Sequence, residues 1–211
     1  MQVLELVETP EEKRDSKWEL DFLNALCHAN LRLIFNDVKT GPDGCPYLYA
    51  ETTKSATEPF ANLAEWLSTR GIGLVINPHK EIPDYILTYG MIWYFKETGR
   101  FFSSATAESH QRLVLEQGTS VLAGPPSNTY LPLYVREILR QFFKAQDISA
   151  PKILVLSQDR LHFDLCVSLE SLGNPPESEH EGIAELLGWF LPPHYSLVLI
   201  SEKGLPAFVD L

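Results

Sequence analysis

The sequence predicts an α/β (α+β) protein made of two small mixed-sheet domains, residues 1–108 and 109–211, the second a ferredoxin-like β-α-β-β-α-β unit. Three observations predict it. Apolar residues switch repeatedly between helical and strand spacing. Gly- and Pro-rich breakers fall where the spacing changes. A polar run of small residues, Ser103 to Ser109, lies mid-chain, as inter-domain linkers do.

The elements follow in order. Residues 1–14 read as a short edge strand and a charged segment. Ser16 with Glu19 forms a capping-box pattern, and Trp18, Phe22, Leu23, Leu26 and Cys27 recur at helical spacing, giving a helix from Lys17 to Ala29. Leu31 to Phe35 and Tyr47 to Ala50 read as a hairpin closed through Gly41-Pro42-Asp43-Gly44. Thr57 is placed to cap a helix striped by Phe60, Leu63, Ala64 and Leu67, with Pro59 in its first turn and Gly71 at its end. Ile72 to Ile76 is a buried strand stopped by Asn77-Pro78. Tyr85 to Tyr89 continues as a strand, and a short helix ends near Gly99.

In the second half, Ser120 to Ala123 is a strand and Gly124 to Ser127 a breaker. Tyr130 to Ala145 is a helix striped by Leu133, Val135, Ile138, Leu139, Phe142 and Phe143. Lys152 to Leu156 is a strand. Leu161 to Leu169 alternates throughout, so Leu161, Phe163, Leu165, Val167 and Leu169 are expected in the core, and His162, Asp164, Cys166 and Ser168 on a wet face. Glu181 to Phe190 is a helix halted by Pro192-Pro193, followed by strands at Tyr195 to Ile200 and Ala207 to Val209. No internal repeat stands out.

Charge narrows the function classes. The net charge is −11 and both halves are acidic, which argues against nucleic acid and anionic membranes as partners. Cys27, Cys45 and Cys166 are odd in number and lack C-x-x-C spacing, so free thiols and a reducing, cytoplasmic compartment are expected. The acidic N-terminus is no signal peptide, and no apolar run is long enough to span a bilayer.

Val121-Leu122-Ala123-Gly124-Pro125-Pro126, the helix ending in Phe142-Phe143, and Ala150-Pro151-Lys152-Ile153-Leu154-Val155-Leu156 resemble the C-terminal domain of the enhanced-serine-sensitivity (SseB-type) proteins. Gly73-Leu74-Val75-Ile76-Asn77-Pro78 looks similar to that family's N-terminal domain. The resemblance covers about half the chain, rests on packing and turn residues, and does not extend to Asp84–Gly99. It implies a two-domain α/β protein without an established catalytic centre.

Two residue sets are candidates for a site. Tyr85, Tyr89, Trp93 and Tyr94, continuing to Phe95, Phe101 and Phe102, concentrate aromatic rings that line either an interface or an inter-domain core. His162, Asp164 and Cys166 hold the parts of a thiol nucleophile, or equally the polar face of an amphipathic strand. Cys27 belongs to a core stripe, with His28 on the flank of the helix end, and Cys45 follows a turn as an exposed thiol. Glu177, Glu179, His180 and Glu181 read as a solvated helix start. No phosphate-loop, dinucleotide, nucleophile-elbow or zinc-helix pattern occurs, so neither cofactor nor metal is expected. The leading reading is a non-enzymatic interaction or regulatory protein acting on another protein, with self-association compatible. The alternatives are a small-molecule-binding protein and a thiol-dependent enzyme using Cys166 and His162.

Overall fold

The computed structural model describes residues 2–35, 37–101 and 121–211. The Ser103–Ser109 run, Phe102 and the expected 108/109 boundary lie outside these residues. The chain forms two compact units, Met1–Ala107 with Trp189–Pro193, and Glu108–Gly188 with His194–Leu211. Trp189–Pro193, distant in sequence, groups with the first unit.

The first unit opens with helix α1 (Val3–Leu6) and a 3₁₀ turn at Glu11–Lys13, not with an edge strand. Val3, Leu6 and Val7 are buried at i, i+3, i+4 spacing, and the Gln2 amide donates to Glu5 Oε2, so the segment gains a core face only as a helix. Helix α2 (Ser16–Leu26) is capped by Asp15, whose Oδ1 accepts from the Trp18 amide at 2.8 Å; the cap lies one residue before the Ser16 of the sequence reading. Strand β1 (Asn30–Leu33) and strand β2 (Lys39–Thr40) both pair antiparallel with β3 (Pro46–Glu51), forming the expected hairpin. The two-residue β4 (Glu58–Pro59) leads into α3 (Phe60–Ser68), where Pro59 rather than Thr57 occupies the N-cap position without a side-chain cap hydrogen bond, and Phe60, Leu63, Ala64 and Leu67 are all buried as expected. Strand β5 (Gly73–Ile76), buried throughout, runs parallel to β3, and β6 (Tyr85–Leu87) pairs antiparallel with it. Helix α4 (Tyr89–Thr98) follows, capped by Thr88 and ended by Gly99 at φ 70°.

In the second unit, β7 (Leu122–Gly124), helix α5 (Leu133–Ala145), β8 (Lys152–Ser157), β9 (Asp164–Ser168), helix α6 (Glu177–Gly188), β10 (Ser196–Ile200) and β11 (Val209–Asp210) follow in order. The sheet order is β10-β9-β8, with β7 and β11 both pairing β8. β8 and β9 are antiparallel, β9 and β10 parallel. This is not the ferredoxin-like arrangement. There the first strand sits inside the sheet; here β7 lies outside β8, because α6 returns the chain directly alongside β9.

The expected wet sheet face is also absent. Leu161 is 78% and Phe163 43% exposed, whereas Cys166 and Ser168 are fully buried. Asp159 intercepts the Leu161 and His162 amides at 2.8 Å each and bends residues 159–163 into a loop, so the strand begins only at Asp164. Inside the sheet β9 has a neighbour on both sides. Cys166 packs with Leu154, Leu156 and Phe208 on one face, and Leu165 and Val167 are buried on the other. Parallel-paired strands are commonly covered on both faces.

The two units share one topology. The run α2-β1-β3-α3-β5 and the run α5-β8-β9-α6-β10 each place a helix, an antiparallel strand pair, a crossover helix and a third strand parallel to the second.

Candidate functional site

The aromatic set divides into separate environments. Tyr85 stacks on Phe22 with ring centroids 5.3 Å apart and donates its hydroxyl to Glu19 at 2.6 Å, so it belongs to the core between α2 and the sheet. Tyr94 is half-buried, edge-on to Trp93. Phe95 stacks on Phe101 and meets Phe60 edge-on. Tyr89 and Trp93, one turn apart on α4, are fully buried. The Tyr89 hydroxyl donates to the Ser68 carbonyl at 2.8 Å.

What covers Tyr89 and Trp93 is the chain's own segment Trp189–Pro193. The Gly90 amide donates to the Trp189 carbonyl at 3.0 Å, and Trp93 Nε1 to the Phe190 carbonyl at 2.9 Å. A Cβ on Gly90 would stand 1.9 Å from the Leu191 carbonyl oxygen, so only glycine allows this approach. Trp189 Nε1 donates to the Tyr47 hydroxyl at 2.6 Å, which donates to Asp43 Oδ2 at 2.6 Å. Burial and the Asp43 hydrogen bond push the Tyr47 phenol above its usual range. This groove is not legible in the sequence because its two sides lie far apart in the chain. The signal was Gly90 inside an otherwise bulky helix.

The second sequence set is not brought together. His162 leaves the strand for the loop, where its Nδ1 lies 2.5 Å from Asp159 Oδ2. Hydrogen bonds from the His162 and Leu161 amides and the His162 ring hold the Asp159 carboxyl well below the ordinary carboxylate range. Cys166 is sealed in the core, and burial, with the Asp164 carboxylate adding to it, pushes its thiol up to about 12. A thiol so placed is protonated near neutrality and is a poor nucleophile. Cys45, expected as an exposed thiol, is also buried, with its thiol pushed up to about 11 by burial and by Asp43. Tyr130 stacks on Tyr195 at 4.5 Å and tilts against Phe163 at 6.3 Å, at the foot of the exposed loop.

Two polar networks lie at the carboxyl ends of the parallel strand pairs, where open α/β sheets place ligands. In the first unit, the buried carboxylate of Asp84 meets Arg14 Nη2 at 2.6 Å, Lys80 Nζ at 2.7 Å and Asn77 Nδ2 at 2.6 Å. Asn77, at φ 53°, also donates to Thr52 Oγ1 and accepts from the Thr52 amide. Arg14 and Lys80 both donate to the Val7 carbonyl, beside a groove of about 520 Å³. In the second unit, Ser168 Oγ donates to Glu202 Oε1 at 2.6 Å, and Glu170 accepts from Ser201 and from the Glu202 amide. Each network clasps the end of one parallel strand to the residue just past its neighbour. Both are tied together by internal bonds. Among the described residues no group of three or more His, Cys, Asp or Glu side chains is arranged to hold a metal ion, and no helix is long and apolar enough to cross a membrane.

No protein-family model, curated protein or solved structure matches the chain.

Proposed function

We propose that the chain is a non-enzymatic interaction or regulatory protein of a reducing, cytoplasmic compartment, and that it binds another protein through the loop at residues 159–163. One observation carries this reading. Leu161 stands 78% exposed on a turn that Asp159 locks by accepting from the Leu161 and His162 amides. An apolar side chain on a pre-ordered turn loses little conformational freedom when a partner covers it. Phe163, partly exposed beside Tyr130, extends the same apolar surface. The resemblance to the enhanced-serine-sensitivity proteins supports the reading, since it implies no catalytic centre. Three free cysteines suit the compartment. The thiol-enzyme alternative is disfavoured by a buried Cys166 and by a His162 engaged with Asp159.

The test places a photo-crosslinking amino acid at position 161 in cells. A discrete protein adduct that disappears in the Phe163→Asp background supports the proposal. Absence of any adduct, together with a thermal shift on adding a metabolite, would transfer the role to small-ligand binding.

A further inference from the structure

We infer that the first unit carries a peptide-recognition groove, built by Tyr47, Tyr89, Gly90 and Trp93, which the chain's own residues Trp189–Pro193 fill as an intrachain ligand. The partner it fits is a short segment of aromatic-aromatic-Leu-Pro-Pro chemistry from another protein. The groove is a different surface from the loop at residues 159–163 and does not depend on it.

The segment lies in neither helix nor strand, yet Trp189, Phe190 and Leu191 are all buried. Consecutive carbonyls are read by two donors one turn apart on α4: Gly90 N–H takes Trp189, and Trp93 Nε1–H takes Phe190. Main-chain reading of this kind is how peptide grooves obtain affinity, while pockets for side chains supply specificity. Here Trp189 enters edge-on against Tyr47, at 5.7 Å between centroids, and hydrogen-bonds its hydroxyl. Phe190 meets Tyr89 edge-on at 6.1 Å. Pro192 and Pro193 have restricted φ, which lowers the entropy cost of ordering the segment. The missing Cβ at Gly90 lets the two backbones touch. Covalent attachment gives the internal segment an effective concentration on the order of millimolar, so a partner peptide enters only when the internal one is weakened or withdrawn.

The experiment uses the full chain and a fluorescent peptide of residues 188–194, read by anisotropy. The Trp189→Ala/Phe190→Ala chain, folded by circular dichroism, is expected to bind the peptide saturably, at least about 100-fold more tightly than the wild type. Adding Gly90→Ala is expected to abolish that binding, and a scrambled peptide to show none. Equal binding with and without Gly90→Ala, or none by the folded double variant, overturns the inference. Wild-type hydrogen exchange supplies a second measurement, independent of whether the double variant folds. The Gly90 amide and the Trp93 indole proton, each referred to its own intrinsic exchange rate, are expected to be protected at least about tenfold less than the Val75 and Ile76 amides, because the segment opens before the unit does. Equal protection would make the segment an inseparable part of the core and overturn the inference.

Discussion

Trp93 Nε1 donates to the Phe190 carbonyl oxygen at 2.9 Å, joining residues 97 positions apart. Both partners are buried, so neither group can turn to water if the bond is lost. Trp93→Phe removes the donor together with part of the ring volume. It is expected to cost at least about 1–3 kcal/mol in urea melts, the cost of an orphaned buried acceptor with that of the smaller ring added to it. Gly90→Ala tests the same contact by steric means. In an ordinary helix interior alanine would gain about 1 kcal/mol over glycine. Here the clash with Leu191 is expected to reverse the sign, to a loss of about 2–3 kcal/mol. A stabilised Gly90→Ala variant would show that the Trp189–Pro193 segment does not lie against α4.

Asp84 holds the N-terminal arm through Arg14 and Lys80. Asp84→Ala leaves two cations and the Asn77 amide facing an apolar void. Unfolding free energy is expected to fall by about 3–5 kcal/mol, because removing one partner of a buried pair strands the other. Residues 2–14 are expected to become the first site of proteolysis in this variant. Unchanged protection of the arm would place its anchorage elsewhere, in the apolar contacts of Val3, Leu6 and Val7.

Phe163 and Cys166 exchange the roles that strict alternation assigns them. Phe163→Ala, on a half-exposed loop, is expected to cost about 1 kcal/mol or less, while Phe22→Ala, from a fully buried site, costs about 3–5 kcal/mol. Cys166→Asp is expected to unfold the second unit. Comparable losses for Phe163→Ala and Phe22→Ala in parallel urea titrations would restore Phe163 to the core.

Alkaline pH is expected to destabilise the fold. The ordinary thiol value is 9.0, and in the folded chain Cys45 and Cys166 stand at about 11 and about 12. Between pH 9 and 12 the unfolded chain therefore binds fewer protons than the folded one. Stability from these groups is present in full below pH 9 and is lost as the pH rises through the folded values. Tyr47, Tyr85, Tyr89 and Tyr130, all pushed up by burial, act with the same sign at higher pH. Urea midpoints at pH 8, 10 and 11 measure the decline, and Cys166→Ala is expected to make it shallower. At pH 8, native iodoacetamide labelling is expected to spare Cys45 and Cys166.

Local chemistry by itself determined several elements. The stripe Phe60, Leu63, Ala64 and Leu67 and the terminating Gly71 marked a helix, because one apolar face at a 3.6-residue period can be buried in only one way. The uniformly apolar Ile72 to Ile76 marked a covered strand, and Gly99 marked the end of α4 through its left-handed φ. The α/β class followed from these. Only the tertiary structure decided the rest. The alternation of Leu161 to Leu169 cannot reveal that Asp159 captures two amides and delays the strand to Asp164, or that Cys166 meets Phe208 on the supposedly wet face. Strand order was hidden for the same reason: pairing β9 with β10 is a choice between distant segments with similar patterns. The groove at Tyr89 and Trp93 depends on Trp189 to Leu191, and Asp84 on Arg14. Each pairing spans dozens of residues, and such contacts leave no period in the sequence, because they are set by where the folded chain returns.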